Sequence, residues 1–146
     1  MQKNLLNRLI LKWFVLVGIM SKLDDYILVI DDSTTNQVLM EALLQEEGFS
    51  TQSASNAAEA YTLIQRRKPR LILLDLLMPQ VSGIECLKQF KLSAETTDIP
   101  IIIVTAVNST EYKDACMKLG ALDYYTKPID IPLFVKHIGN ILIDKP

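Results

Sequence analysis

The sequence predicts an α/β fold in which a five-stranded parallel sheet is doubly wound by five helices. From residue 26 onward, short aliphatic runs alternate with longer segments of helical spacing, which is typical of parallel sheets with helical crossovers. Most of the aliphatic runs are continuous, as in strands that are buried on both faces. A hydrophobic fraction of 49% in a chain of 146 residues is enough for one packed core and excludes a disordered chain.

The first half of the alternation contains three predicted strands and two predicted helices. A β-branched and aliphatic run predicts the first strand, whereas the polar run after Gly48 predicts a weak strand at a sheet edge. Apolar residues at helical spacing predict the helices, and Gly48 closes the first of them as a C-cap. In chain order the predicted elements are strand 26–30, helix 34–47, strand 50–54, helix 57–67 and strand 71–74.

The second half continues the same alternation with two strands and three helices. Pro100 introduces an aliphatic run, Gly120 stops the helix that follows it, and Pro132 suits the first turn of the last helix. In chain order these predicted elements are helix 82–92, strand 101–104, helix 109–119, strand 122–125 and a helix from Pro132 to about residue 143.

Polar residues with related chemistry follow the predicted strands. In an open parallel sheet the functional site lies outside the carboxyl ends of the strands, where the strand order reverses. Three carboxylates, one hydroxyl and one ammonium group are expected at that edge. They belong to Asp31 and Asp32 after the first strand, Asp75 after the third, Thr105 after the fourth and Lys127 shortly after the fifth.

These groups point to phosphoryl chemistry with a divalent cation. Carboxylates that lie close together repel each other, so they hold protons or bind a cation. Oxygen ligands with open positions suit Mg²⁺, which also binds phosphate oxygens. A carboxylate beside such an ion can act as a nucleophile toward phosphorus and form an acyl phosphate.

Four segments resemble the motifs of the response-regulator receiver family, in the usual order and at the usual intervals. They are ILVIDDS, LILLDLLMPQVSGIE, IPIIIVTA and GALDYYTKPI, and the resemblance covers roughly residues 24 to 143. It implies a flavodoxin-like sheet with strand order 2-1-3-4-5. It also implies a cytoplasmic protein that is not an enzyme acting on external substrates.

By that resemblance, Asp75 is the phosphoacceptor, and Thr105 and Lys127 contact the phosphoryl group. Tyr124 is the switch aromatic, which turns into the space that Thr105 vacates on phosphorylation, and Pro128 follows a cis peptide bond. The residues that are implied to hold Mg²⁺ are Asp31, Asp32, Asp75 and, through its backbone carbonyl, Leu77.

The resemblance also implies partners. A sensor histidine kinase or a histidine phosphotransfer protein would donate the phosphoryl group, with Asn36 and Met40 as contacts, and a downstream effector protein would bind the switched face. The formal net charge of −2 argues against direct binding of nucleic acid.

Two positions lack the polar side chains that fast hydrolysis of the phosphoryl group would need. Leu77 and Val107, two places after the acceptor and after the threonine, are apolar and cannot orient a water molecule. We therefore predict slow self-dephosphorylation. Two alternatives stay open: a degenerate receiver that acts as a constitutive interaction module, and an aspartyl-nucleophile phosphatase, for which Leu77 stands where a second acid is expected.

Residues 1–23 form an N-terminal extension to a receiver domain at 24–146, and four interpretations of it remain. A membrane span is disfavoured by Asn7, Arg8 and Lys12, and a signal peptide by the lack of a small-residue cleavage site. Translation could start at Met20. Alternatively, residues 1–20 form an amphipathic helix that docks on a second copy, giving a homodimer, or lies on a membrane surface.

Overall fold

The computed structural model describes residues 2–143, with the side chains of all of them except residues 17–24. The described residues form five strands and six helices. The strands are β1 Tyr26–Ile30, β2 Ser50–Ala54, β3 Leu71–Leu74, β4 Ile101–Thr105 and β5 Asp123–Thr126. The helices are α1 Gln2–Asp24, α2 Thr34–Glu46, α3 Ala57–Arg66, α4 Gly83–Leu92, α5 Thr110–Lys118 and α6 Ile131–Ile143.

The strands form one parallel sheet in the order β2-β1-β3-β4-β5, which confirms the predicted fold and strand order. The polar strand β2 lies at an edge, paired only with β1 within the described sheet. The order reverses between β1 and β3, where Ile30 lies beside Leu74. Asp31 and Asp75 are the next residues along these two strands, so they leave the sheet side by side.

Side chains of the central strands alternate between two hydrophobic cores, one on each face of the sheet. Tyr26, Leu28 and Ile30 point to the core that is covered by α3, α4 and α5. Ile27 and Val29 point to the opposite core, which α2 and α6 cover. Continuous aliphatic runs are therefore required, because both faces of these strands are buried.

Side-chain caps and glycines define where the helices begin and end. Ser33 and Ser82 accept hydrogen bonds from backbone amides in the first turns of α2 and α4. Gly48 and Gly120 have positive φ angles of 88° and 103°, a conformation that glycine adopts readily. The predicted stops at these two glycines are confirmed.

The observed elements differ from the predicted ones mainly at the N-terminus. The described residues contain six helices rather than five, because α1 precedes the first strand. Strand β4 extends to Thr105 and β5 to Thr126, and these two residues are register partners in the sheet. Pairing between these strands lengthens β4 by one residue and shifts β5 by one residue, which the hydrophobic pattern of either strand alone does not indicate.

Candidate functional site

Asp75 lies immediately after β3 and is buried, with 6% of its surface exposed. Its backbone amide donates a 3.0 Å hydrogen bond to the Ile30 carbonyl, which aligns it with the end of β1. The Leu77 amide donates to Asp75 Oδ1 at 3.1 Å. The other carboxylate oxygen, Oδ2, faces the Lys127 amine at 3.5 Å. Each oxygen of this carboxylate therefore has a different donor.

The two aspartates after β1 differ in exposure. Asp31 is buried, whereas Asp32 is exposed. The Ser33 amide donates to Asp31 Oδ1 at 2.9 Å, and Lys127 Nζ lies 3.2 Å from Asp31 Oδ2. Asp31 is thus oriented by the chain that leads into α2, while Asp32 remains accessible to solvent.

Lys127 reaches this edge of the sheet because β5 ends beside β4. The Lys127 amide donates a 2.8 Å hydrogen bond to the Thr105 carbonyl, and the Lys127–Pro128 peptide bond is cis, as the resemblance implied. The half-buried ammonium group contacts Asp31 and Asp75 together. One ammonium group therefore contacts two of the three carboxylates that cluster at this edge, and the carboxylates outnumber it.

The carboxylates of Asp31, Asp32 and Asp75 fit a hard divalent cation. Each offers one oxygen, and these three oxygens lie within 4.8 Å of one another. Three hard oxygen donors with excess negative charge suit Mg²⁺, which keeps some of its own water and binds through few protein carboxylates. The donor set is therefore compatible with the ion that the resemblance implied.

Thr105 and Tyr124 are linked through the segment after β4. Thr105 is fully buried, and its Oγ1 accepts a 3.3 Å hydrogen bond from the Val107 amide. The Tyr124 hydroxyl donates a 2.6 Å hydrogen bond to the Val107 carbonyl. Burial raises the pKa of Tyr124, and the nearby Cys116 and Asp75 raise it further. Val107 thus contacts both predicted switch residues through its backbone.

Gly83 allows α4 to begin directly against the acceptor strand. A Cβ atom on Gly83 would lie 2.3 Å from the Asp75 carbonyl oxygen and 2.5 Å from the Leu76 Cα. The Gly83 amide donates a hydrogen bond to the Leu76 carbonyl at 3.1 Å. Such contacts exclude any side chain, so this glycine positions the backbone of the acceptor.

Sequence reasoning missed two residues that position the acidic cluster. Gln37 Nε2 donates to the Asp31 carbonyl at 2.6 Å and to Ser55 Oγ at 3.1 Å, and so joins the ends of β1 and β2. Ser33 caps α2 with its side chain and orients Asp31 with its amide. A serine two places after an aspartate, directly before a helix, was the available signal for Ser33. No comparable pattern marks Gln37.

An apolar cavity of about 490 Å³ opens beside Asp75, between α2 and the segment after β5. Asn36 and Met40, the predicted kinase contacts, line it together with Lys127 and Pro128. The acceptor carboxylate is therefore next to a recess whose walls come from the helix and loop that flank the site.

Fold and site together define a doubly wound α/β protein with an acidic, cation-compatible site at the reversal of strand order. The sequence matches the family profile described as response regulator receiver domain over residues 27–139. The chain belongs to this family of two-component signalling modules, whose members are not classical enzymes. The resemblance inferred from the four motifs is confirmed.

Individual relatives agree with this assignment. The chain is 35% identical to Protein PilH of Pseudomonas aeruginosa over 116 residues, which cover 80% of this chain and 96% of that protein. It is 34% identical over 109 residues to sporulation initiation phosphotransferase F of Bacillus subtilis, covering 75% of this chain and 86% of that protein. A crystal structure of a two-component response regulator from Clostridium difficile superposes with a TM-score of 0.76 at 28% identity, covering 82% of this chain and 97% of that one.

Proposed function

We propose that this chain is a phosphorylation-dependent signalling switch in the cytoplasm and that Asp75 accepts a phosphoryl group from a histidine kinase or a histidine phosphotransfer protein. One observation carries the proposal: the Lys127 amine lies 3.2 Å from Asp31 and 3.5 Å from Asp75, at the carboxyl edge of the sheet. A carboxylate nucleophile, a cation-binding cluster and a positive charge for phosphoryl oxygens are thus held together.

In the proposed reaction, a carboxylate oxygen of Asp75 attacks the phosphorus of a phosphohistidine. The new O–P bond forms as the N–P bond breaks, and the imidazole leaves with the electron pair of the broken bond. Lys127 stabilises the charge on the transferring oxygens, and the Leu77 amide orients the carboxylate. Asp31, Asp32, Asp75 and the Leu77 carbonyl would hold Mg²⁺, whose chemistry there is neutralisation of phosphoryl and carboxylate charge.

The proposed output follows from the contacts of Val107. A phosphoryl group on Asp75 adds negative charge and acceptor oxygens, and the buried Thr105 hydroxyl can donate to one of them. That donation would move Thr105 and, through the Val107 backbone, alter the hydrogen bond of Tyr124. The face formed by α5, β5 and α6 would change with it and bind a downstream effector.

Labelled acetyl phosphate with Mg²⁺ tests the acceptor directly. We expect the wild-type chain to become labelled and Asp75→Asn to remain unlabelled, because an amide is a poor nucleophile and forms no acyl phosphate. A chelator of divalent cations should abolish labelling as well. A purified histidine kinase serves as the second donor.

Asp25→Asn is the matched control. Asp25 precedes β1 at the opposite end of the sheet, where it pairs with Arg70. Asp25→Asn therefore removes one carboxylate from an ion pair, as Asp75→Asn does. This variant should be labelled like the wild type. Labelling of Asp75→Asn at the wild-type level would overturn the proposal, and so would a chain that takes up no label from either donor.

A further inference from the structure

Helix α1 presents a continuous apolar surface to solvent. About 100° per residue places six of its side chains on one arc, which we call the α1 apolar arc. Each of them is between 43% and 64% exposed. The members are Leu5, Leu6, Leu9, Ile10, Trp13 and Leu16. A run of large exposed apolar residues on one helix is unusual for a protein surface facing water only and marks an interaction site.

The remainder of the helix surface over residues 2–16 carries positive charge. Lys12 and Lys3 border the two edges of the apolar arc, Arg8 follows next to Lys12, and the side opposite the arc mixes asparagines with Leu11, Phe14 and Val15. The polar side chains of this surface are Lys3, Asn4, Asn7, Arg8 and Lys12. Residues 1–16 contain three basic and no acidic side chains, and the rest of the chain, with 12 basic and 17 acidic ones, carries −5. Charge is therefore segregated between α1 and the body of the protein.

None of the helices in residues 2–143 is long and apolar enough to cross a membrane. An exposed apolar arc that contains a tryptophan and is bordered by basic side chains suits a different arrangement, in which a helix lies in the plane of a membrane surface. We propose that α1 binds the surface of an anionic lipid bilayer, with the apolar arc inserted at the level of the headgroups and Lys3, Arg8 and Lys12 facing lipid phosphates.

Charge argues for lipid over a second copy of the chain as the occupant. Two α1 helices packed through their apolar arcs would place Lys3 and Lys12 of both copies along the edges of the contact, without an acidic partner within residues 1–16. An anionic bilayer supplies the opposite charge, and each basic residue near its surface contributes about a fivefold increase in binding. The acidic body would at the same time be repelled from the lipid, which orients the domain away from the surface.

The sequence offers an intrinsic reporter, because Trp13 is its single tryptophan. The full chain is mixed with vesicles of phosphatidylcholine alone or of phosphatidylcholine mixed equally with phosphatidylglycerol. Tryptophan emission and co-sedimentation are measured for each. We expect a blue shift and co-sedimentation with the anionic vesicles, both weakened by added salt, which screens the charges, and neither with phosphatidylcholine alone.

The same leucine-to-aspartate substitution on two sides of α1 tests which side of the helix enters the membrane. Leu9→Asp places a charge in the middle of the apolar arc, and Leu11→Asp places the same charge about 160° away, at a side chain of similar exposure. We expect Leu9→Asp to weaken vesicle binding at least about tenfold more than Leu11→Asp, because only Leu9 leaves water on binding. Both variants should keep the circular-dichroism spectrum and the urea unfolding midpoint of the wild type, which shows that the domain is folded.

Three results would overturn the proposal. The first is a tryptophan emission that anionic vesicles leave unchanged, and the second is an equal loss of binding in the two variants. The third is a blue shift without vesicles that grows with protein concentration and accompanies a dimer in sedimentation, since it would assign the apolar arc to a second copy. Failure of phosphorylation at Asp75 would leave these measurements unaffected.

Discussion

At the scale of single residues, the two oxygens of Asp75 are held by different donors. The Leu77 amide fixes one of them and the Lys127 ammonium group the other. The backbone of Leu77 thus orients the acceptor, while its side chain is exposed beside the site. We expect the lifetime of a phosphoryl group on Asp75 to depend on that side chain, because a water molecule must be oriented for attack.

Leu77→Asn should shorten the lifetime of the phosphorylated state. An asparagine can orient water by a hydrogen bond, and we expect hydrolysis to accelerate about tenfold. The measurement is the loss of label after the donor is removed. Leu92→Asn, an exposed leucine at the end of α4, is the control and should decay like the wild type. A wild-type phospho-form that decays within seconds would contradict the prediction of slow hydrolysis.

Much of the site could be predicted at this scale. Carboxyl ends of parallel strands share one edge, so Asp31, Asp75 and Lys127 were expected to meet there, and the structure places them in contact. The roles of these three residues, and those of Asp32 and Thr105, remain predictions. The part played by Gln37 could not be predicted, because it depends on the three-dimensional approach of Ser55 to the end of β1.

At the scale of elements, the start of α4 is the most constrained junction. Gly83 stands so close to the acceptor backbone that a methyl group has no space. Gly139 in α6 provides a contrast, because a Cβ atom there would meet nothing within 4 Å. The same substitution should therefore have opposite effects on stability at the two positions.

Gly83→Ala should lower the free energy of unfolding by about 2 kcal/mol, through overpacking against the Asp75 carbonyl. Gly139→Ala should raise it by about 0.5 to 1 kcal/mol, because alanine is the better helix former. Urea unfolding measures both changes. Labelling from acetyl phosphate should be slower only in Gly83→Ala, because only Gly83 lies against the backbone of Asp75. An equally stable Gly83→Ala protein would show that this close approach is absent.

The ends of two helices were predictable because a glycine marks each of them, as at Gly48 and Gly120. Helix α1 was predictable only as one of several alternatives. Its residues are apolar enough to suit a membrane span, a signal peptide or an amphipathic surface helix. The local sequence does not reveal whether the rest of the protein covers their side chains. The structure leaves its described side chains exposed.

At the scale of the whole molecule, alternation of strands and helices predicted a doubly wound sheet, but it does not determine strand order. The order 2-1-3-4-5 came with the family resemblance, and the structure confirms it. The two cores on either side of the sheet also bury ionisable groups. Burial raises the pKa of the Cys86 thiol to about 12 from its usual 9.0.

Alkaline pH should consequently destabilise the fold. The folded state keeps the Cys86 proton that the unfolded state loses above pH 9.0. Stability is therefore fully present below that pH and declines as the pH rises toward about 12, by at most about 1.4 kcal/mol per pH unit for one such group. The raised pKa values of Tyr26 and Tyr61, also caused mainly by burial, act in the same direction.

Unfolding by urea at several pH values checks this expectation. Cys86→Ala should show a shallower loss of stability between pH 9 and pH 12 than the wild type, whatever its stability at neutral pH. The slope, rather than the absolute stability, is the quantity to compare, because the alanine also removes packing. Identical slopes would mean that the thiol ionises equally in both states.

The proposed switch requires one cation and one phosphoryl group to be surrounded by Asp31, Asp32, Asp75, Thr105 and Lys127. A crystal structure of the chain with Mg²⁺ and beryllofluoride tests it most directly. We expect the beryllium on an oxygen of Asp75, Mg²⁺ bound by the three carboxylates and the Leu77 carbonyl, and the Thr105 hydroxyl and Lys127 amine on the fluorides. Beryllofluoride bound elsewhere, or Mg²⁺ bound without Asp75, would contradict it.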